Sequence, residues 1–373
     1  MKLAFCLFRY FPYGGLQRDF LKIARLCRDR GHEVHVYTLA WEGEKEPGIA
    51  VNVMPTKGFQ NHTQAQAFIR ALQPIFESPA YDAVIGFNKM PGLDWYYAGD
   101  VCYQDRVLHS RPFWYRWLNR YRVWASLERA VFAPERQTKI MLLSQQAGAV
   151  YRQAYQTEGT RFYALPPGIE RRDMTLQERV AMREAQLNAY QIPADHLLLL
   201  MVGSGFHTKG LDRSLQSLGA LPRDLRARTH LMVIGQGDRK AYASTLHRLQ
   251  IEDHVLFLGG RSDVPHFLAA ADLLLHPSRH ENTGTVLLEA LSLGLPVLTT
   301  AACGYAHYIE EARAGVVLPI DFNQLAWNQA LCDLAISPEK RAHYSSQGLA
   351  FSKISDWYGL HERAVKLIEE AGI

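Results

Sequence analysis

Cysteine is scarce in this chain, and each one stands alone. Cys6, Cys27, Cys102, Cys303 and Cys332 are scattered over 373 residues without a C-x-x-C pair. That spacing argues against a zinc site, a dithiol relay and a disulfide framework alike, and a reducing compartment fits. Charge of one sign is also in short supply. The formal net charge of +4 is too mild for a nucleic-acid binder unless the positive residues gather on one face. Long apolar runs are missing too: no stretch reaches the roughly 18 residues that a spanning helix requires. The opening Met1 to Arg9 is too short an apolar run for a signal peptide, so the chain is expected to stay in the cytoplasm. No D-x-D triplet occurs anywhere, and no metal site is expected.

What the chain does have is apolar content, 48% of residues, enough for a large core and more than one domain usually holds. Two rounds of alternating strand and helix are legible. Lys2 to Phe8 reads as a buried strand, Gly14-Gly15 opens a helix with apolar spacing at Phe20, Ile23, Ala24 and Cys27, and Gly31 ends it. Val34 to Leu39, Ala83 to Gly86 and Lys139 to Ser144 supply further strands. The turn-rich Leu165-Pro166-Pro167-Gly168 marks the end of the first domain. After a polar helical stretch at Thr175 to Tyr190 the pattern restarts, with strands at Leu197 to Val202, His230 to Ile234, His254 to Leu258, Leu273 to His276 and Val297 to Thr300. Such alternation predicts an α/β fold with one parallel sheet per domain, covered on both faces. Two such domains facing across a cleft would border it with the carboxyl ends of both sheets. The expected divisions are residues 1–167, residues 168–354 and a terminal amphipathic helix over 355–373.

The segment His280-Glu281-Asn282-Thr283-Gly284-Thr285-Val286-Leu287-Leu288-Glu289-Ala290 follows a strand and enters a helix. Glu281 is expected in the loop and Glu289 two turns into the helix. The helix start between them, around Thr283, Gly284, Thr285 and Val286, offers backbone N–H groups that suit phosphate. A carboxylate in a helix can accept two ribose hydroxyls, and one in the loop a sugar hydroxyl. A ligand with a sugar, a diphosphate and a ribose in line matches this order. The plainer alternative is a capping carboxylate followed by a solvated helix glutamate.

Three glycine loops at successive strand ends weigh against that alternative: Gly203-Ser204-Gly205-Phe206-His207-Thr208-Lys209-Gly210, Gly235-Gln236-Gly237-Asp238 and Gly259-Gly260-Arg261-Ser262-Asp263-Val264. Flanking glycines permit close backbone approach to a diphosphate that Lys209 would neutralise. Together with the glutamate pair, these loops resemble the second domain of glycosyltransferase family 4 enzymes, whose E-x7-E element is matched by Glu281 and Glu289. The segments Phe11 to Phe20, Gly86 to Asp94 and Thr300 to Ile309 are similar to the lipopolysaccharide core glucosyltransferase I family of Gram-negative bacteria, and the similarity runs over essentially the whole chain.

That resemblance implies a GT-B fold of two Rossmann-like domains, with the first domain binding the acceptor and the second the nucleotide sugar. It further implies a UDP-sugar donor and transfer with retention onto an inner-core heptose of lipid A-linked oligosaccharide. The work is then done at the cytoplasmic face of the inner membrane, without a cofactor or metal. Carried over position by position, Glu289 would hold the ribose, Glu281 a donor hydroxyl, and the backbone of Thr283 to Val286 the phosphates. Lys209 would offset charge on departing UDP, and Gly15 would let first-domain backbone approach the diphosphate. Gly203, Gly235 and Arg261 would line the base and ribose. Asp19 and Asp100 would face the acceptor or the anomeric centre, with a helix cap near Gly99 as the other reading of Asp100. Where many family members carry an arginine this chain has Ser204, so phosphate neutralisation would rest on Lys209 with help from Arg171, Arg172 or Arg261. Asn282, Thr283 and Thr285 are polar enough to suit an N-acetylhexosamine such as N-acetylgalactosamine as well as glucose. The remaining alternatives are another GT-B enzyme, such as a nucleotide-sugar epimerase or a phosphorylase, or a silent UDP-sugar-binding membrane scaffold.

Residues 102–132 form the one basic cluster. Arg106, Arg111, Arg116, Arg120, Arg122 and Arg129 alternate with Tyr103, Phe113, Trp114, Tyr115, Trp117, Tyr121, Trp124 and Phe132, against Asp105 and Glu128 alone. This composition predicts an interfacial amphipathic helix on an anionic membrane surface. The competing reading is a core helix whose arginines reach past their aromatic neighbours to solvent.

Overall fold

The computed structural model describes residues 1–12, 14–56, 58 and 60–370. Tyr13 of the Phe11 to Phe20 segment and the last three residues of the expected terminal helix lie outside them. The backbone divides into two compact units, Met1–Gly168 with the segment from Tyr358, and Ile169–Trp357.

In the first unit the strands are β1 (Lys2–Tyr10), β2 (Glu33–Trp41), β3 (Ala50–Val53), β4 (Ala83–Gly86), β5 (Trp95–Ala98), β6 (Lys139–Leu142) and β7 (Phe162–Ala164). They form one parallel sheet in the order β3-β2-β1-β4-β5-β6-β7. Because helices cover both faces, β1 is apolar on both. Leu3, Phe5 and Leu7 join Phe20, Ile23, Ala24 and Cys27 in one core, while Ala4 and Cys6 join Phe68, Leu72, Val131 and Phe132 in the other. The second unit holds β8 (Leu197–Val202), β9 (Thr229–Ile234), β10 (Val255–Gly259), β11 (Leu273–His276), β12 (Val297–Thr300) and β13 (Gly315–Leu318). Its parallel order is β10-β9-β8-β11-β12-β13. The order reverses between β8 and β11, so the loops leaving these two strands flank the crevice where open α/β sheets take ligands.

Four strands escape the sequence reading: β3, β5, β7 and β13. β3, β7 and β13 are edge strands of three or four residues, too short for a periodic signal. β5 is the fully buried aromatic tetrad Trp95-Tyr96-Tyr97-Ala98, hidden because it follows a turn-rich loop. The terminal helix starts later than expected. One helix runs Pro338–Ile354, the chain opens at Ser355, and the last helix is Leu360–Glu370. Between them Trp357 is buried and its carbonyl accepts from Ile169 N at 2.9 Å. The last helix then packs Leu360, Ala364, Val365, Leu367 and Ile368 into the first unit's core, beside the helix Gly15–Asp29.

The expected amphipathic helix over 102–132 is three pieces: a helix Tyr103–Ser110, a helical turn Phe113–Trp117 and a helix Asn119–Phe132. Pro112 divides the first two, since proline removes a donor and restricts the residue before it. Val123, Leu127, Val131 and Phe132 bury one side of the last helix, whereas Phe113, Trp114 and Trp117 are 69%, 55% and 66% exposed. Among the described residues no helix is long and apolar enough to cross a membrane.

At the amino ends of the second sheet three imidazoles lie in a row. His196 Nδ1 lies 2.9 Å from His230 Nε2, and the His230 and His254 ring centroids are 5.4 Å apart. Burial, then His196 and His254, pull His230 from its ordinary 6.5 down to about 4. A histidine held neutral by the fold adds stability that is complete above about 6.5 and is lost as pH falls to about 4. The thermal midpoint should drop through that window, by roughly 2–4 °C for each kcal/mol of stability lost. His230→Leu should flatten that part of the profile, and differential scanning calorimetry at stepped pH would show it.

Candidate functional site

The loop Gly203 to Gly210 leaves β8, and the loop Pro277 to Gly284 leaves β11. They are tied together by interactions that neither segment carries alone. Arg279 N donates to Thr208 O at 2.8 Å, and its guanidinium reaches His207 O and both oxygens of Asp212 at 2.8–2.9 Å. Arg213 donates to Pro277 O at 3.0 Å while its guanidinium stacks 3.8 Å over the Phe322 ring. The next loop in the sheet joins in: Gly235 has φ +140°, and a Cβ there would lie 2.4 Å from Gly203 O. Only a glycine allows the β8 and β9 loops to approach so closely.

On this clamped frame sits Glu281. Its backbone is pinned to the loop after β12, with Glu281 N donating to Ala302 O at 3.1 Å and Gly304 N to Glu281 O at 3.2 Å. One carboxylate oxygen, Oε1, pairs with Lys209 Nζ, the two side chains being 18% and 14% exposed for the lysine and glutamate. The other, Oε2, lies 2.7 Å from His276 Nε2 and accepts from Ser278 Oγ at 2.8 Å. Burial works to raise this carboxyl's pKa, but His276 and Lys209 outweigh it and hold the group below the usual carboxylate range. The group is therefore an anion with a matched cation. Cys303 Sγ stands 3.8 Å from Oε2, and burial, reinforced by Glu281, pushes its thiol well above the ordinary value. His276, Glu281 and Cys303 offer atoms within 4.8 Å of one another, close enough for a metal ion. Their chemistry is that of a hydrogen-bonded carboxylate, already taken by three donors, beside a protonated thiol.

The helix after the loop is Thr285–Ser292, and Gly284 precedes it with a left-handed φ of +82°. That left-handed residue stops the helix from starting earlier. Glu289 is consequently the fifth helical residue, little more than one turn in, not two turns as the sequence suggests; from Gly284 it lies about 7.5 Å along the axis at 1.5 Å per residue. The opening N–H groups of such a helix have no intrahelical acceptor. Asn282 and Val286 are buried, and Thr283, Thr285 and Glu289 are partly so. Gly203 lies over Lys209, its φ of +145° leaving the lysine stem no room for an added Cβ. Two other expected ligands are paired locally. Arg261 makes a two-pronged bond to Asp263 at 2.7 and 2.6 Å, and Arg172 pairs with Glu170 at 2.6 Å on the surface.

The first unit's candidates are placed as follows. Gly15 begins the helix Gly15–Asp29, and a Cβ there would meet no atom within 4 Å. Asp19, further along that helix, has both oxygens engaged, Oδ2 by Tyr97 Oη at 2.7 Å and Oδ1 by His361 Nε2 at 2.9 Å. Asp100 is exposed, with its backbone carbonyl accepting from Tyr151 Oη at 2.8 Å. It is not a helix cap. The amides of Tyr103 and Gln104 that a cap would serve are taken by Glu128, at 2.8 and 2.9 Å. Glu128 is itself fully buried, paired with Lys89 and accepting from Tyr155 Oη at 2.7 Å.

Sequence reasoning missed His276, Ser278, the Asp212–Arg279 pair, His361 and Glu128. Only His276 left a trace, as a polar residue closing the apolar run Leu273-Leu274-Leu275. Ser278 lies three positions from Glu281 but is a single serine with no pattern around it, and the rest are joined to partners 24 to 342 positions away, where no local pattern announces a pair.

Comparison with known proteins gives a consistent picture. A family model described as Glycosyltransferase Family 4 matches residues 13–172, and one described as Glycosyl transferases group 1 matches residues 182–350. The chain is 42% identical over 369 residues to the lipopolysaccharide glucosyltransferase WaaG of Escherichia coli (strain K12), covering 99% of this chain and 98% of that one. The crystal structure of WaaG, described as a glycosyltransferase involved in lipopolysaccharide biosynthesis, matches with a TM-score of 0.94 at 41% identity over 98% of this chain and 99% of the other. Anabaena Alr3699/HepE in complex with UDP-glucose shares the fold, with a TM-score of 0.73 at 20% identity over 99% and 100% of the two chains.

The Lys209–Glu281 pair has a direct test. Removing one partner of a largely buried ion pair strands the other, so Lys209→Met should cost about 3–5 kcal/mol of stability. Lys209→Met combined with Glu281→Gln should recover part of that loss, and a double-mutant cycle in urea would measure the coupling.

Proposed function

The chain belongs to the lipopolysaccharide glucosyltransferase family, whose enzymes are GT-B glycosyltransferases, and on that premise we propose that it moves a hexose from a UDP-sugar onto an inner-core heptose of lipid A-linked oligosaccharide, retaining the anomeric configuration. The observation that carries the reading is the anionic Glu281, held by Lys209 at the reversal point of the second sheet, one helix start ahead of Glu289. In this reading the second unit binds the donor. Glu289 accepts from the ribose hydroxyls, the opening amides of Thr283, Gly284, Thr285 and Val286 receive the diphosphate, and Glu281 accepts from a hydroxyl of the hexose. Gly203, Gly235 and Arg261 line the base and ribose, with Arg171 or Arg172 supplying further positive charge. The first unit takes the acceptor, with Asp19 and Asp100 on the acceptor side and Gly15 leaving its helix start open to phosphate.

The chemistry needs orientation and charge stabilisation more than a nucleophile. The bond between the anomeric carbon and the β-phosphate oxygen breaks as the acceptor oxygen bonds to the same face. The acceptor proton passes to the departing phosphate, and Lys209 stabilises the charge that gathers there. No metal or cofactor enters this route. Glucose is the proposed hexose, with N-acetylgalactosamine the alternative that the Asn282 amide favours. With a heptose-terminated lipid A acceptor and EDTA present, UDP release should depend on acceptor and run faster from UDP-glucose than from UDP-N-acetylgalactosamine. Glu289→Gln should raise the donor KM by about 10-fold or more, as loss of a hydrogen bond to a charged group does. Acceptor-independent UDP release, or transfer abolished by the chelator, would overturn the reading.

We further propose that the enzyme works as a peripheral protein on the cytoplasmic face of the inner membrane, docked through residues 102–132. Supporting this are the exposed Phe113, Trp114 and Trp117 amid arginines, an arrangement suited to the headgroup zone of anionic lipid. Co-sedimentation with phosphatidylglycerol vesicles should fall several-fold in Trp114→Ser/Trp117→Ser and also weaken with added salt, as charge-driven binding does. Equal binding to neutral vesicles would contradict it.

A further inference from the structure

His276 closes β11 with a side chain that is fully buried, and nothing in the reaction as described so far uses it. Its Nε2 lies 2.7 Å from Glu281 Oε2 and 3.1 Å from Ser278 Oγ. Its Nδ1 is buried and has no hydrogen-bond partner. These two facts assign the proton. A bare Nε2 would press its lone pair against the carboxylate, and a proton on Nδ1 would be stranded without an acceptor. Nε2 therefore carries a hydrogen and donates it to Glu281. The Ser278 hydroxyl donates to the same oxygen at 2.8 Å. The strand end is rigid, since Thr299 Oγ1 donates to His276 O at 3.0 Å and Thr300 Oγ1 to Ser278 O at 3.0 Å.

Stability alone does not explain a histidine here. The neighbouring Leu273, Leu274 and Leu275 are all buried, and an apolar side chain would continue their packing without an orphaned nitrogen. What the imidazole supplies is a difference between the two oxygens of Glu281. With Oε2 held by His276 and Ser278, Oε1 is the oxygen presented to Lys209.

We infer that His276 is a positioning residue, which with Ser278 fixes the Glu281 carboxylate so that Oε1 faces the donor hexose. The inference rests on the reading of Glu281 as the acceptor for a sugar hydroxyl. It separates the two halves of the donor: fixing Glu281 governs the hexose, and leaves UDP to the helix start and Glu289.

The test compares His276→Leu, His276→Gln, Ser278→Ala and Glu281→Gln in the full-length chain. For each, kcat/KM with UDP-glucose is measured beside the Kd for UDP by calorimetry. His276→Leu should lower kcat/KM by about 10- to 100-fold, the range expected when a charged group loses a hydrogen bond. Its UDP affinity should stay within about 2-fold, which also reports that the second unit is folded. His276→Gln, which can present an N–H near the place of Nε2, should recover most of the loss. Ser278→Ala should show a smaller loss in the same direction, and it decides the matter if His276→Leu does not fold. Parallel losses for UDP and UDP-glucose, no rescue by glutamine, or unchanged kcat/KM would overturn the role of His276. A Glu281→Gln enzyme with unchanged kcat/KM would overturn the reading of the carboxylate itself, and the positioning role with it.

Discussion

A carboxylate taken out of water must be met by a cation and by hydrogen bonds that use its remaining lone pairs, or it loses its charge. Glu281 is such a group, and much of the second unit can be read as the means of meeting that demand. Lys209 comes from the loop after β8 and the two remaining donors from β11 and the loop that follows it. The backbone of Glu281 is held by the loop after β12. These segments come together because a parallel sheet puts the carboxyl ends of neighbouring strands side by side. The clamps through Arg279 and Arg213 keep the loops from drifting apart. A cluster of this kind is weak as a source of net stability, but it defines where a negative charge sits and which way it faces.

The first unit solves the same problem for a different purpose. Glu128 is fully buried on the helix Asn119–Phe132, and its oxygens are used by Lys89, Tyr155 and the two leading amides of the helix Tyr103–Ser110. Lys89 in turn donates to Val101 O at 2.8 Å. The charge therefore ties the loop after β4 to both helices that flank the aromatic turn Phe113–Trp117. The exposed rings are carried on a rigid base, and their apolar surface does not fold back into the core.

Most inner strands were legible because they are apolar runs bounded by glycine or a polar turn, as in Leu197 to Val202 and Ala83 to Gly86, with β5 the inner exception. The edges β3, β7 and β13 were not, since an edge strand such as β3 is four residues long and mostly exposed. Within the site, Glu281, Glu289, Lys209 and the glycine loops stood out because their chemistry is local and spaced along the chain. The contact between Lys209 and Glu281 did not, although both residues were singled out. Their sequence separation is 72, and only the strand order brings them together. The helix start was misplaced for a local reason, as the left-handed Gly284 delays it to Thr285.

The last helix carries a consequence of a different kind. Residues 360–370 fill part of the first unit's core, yet on a ribosome they emerge only after the entire second unit has been made. The amino-terminal unit therefore leaves the tunnel with an apolar groove open along Phe20, Ile23 and Cys27, and it stays incomplete while its successor folds. Domains made in order ordinarily mature in order. Here the first to begin is the last to be finished, and nascent chains of this enzyme pass through a long interval in which a chaperone has a hydrophobic surface to hold.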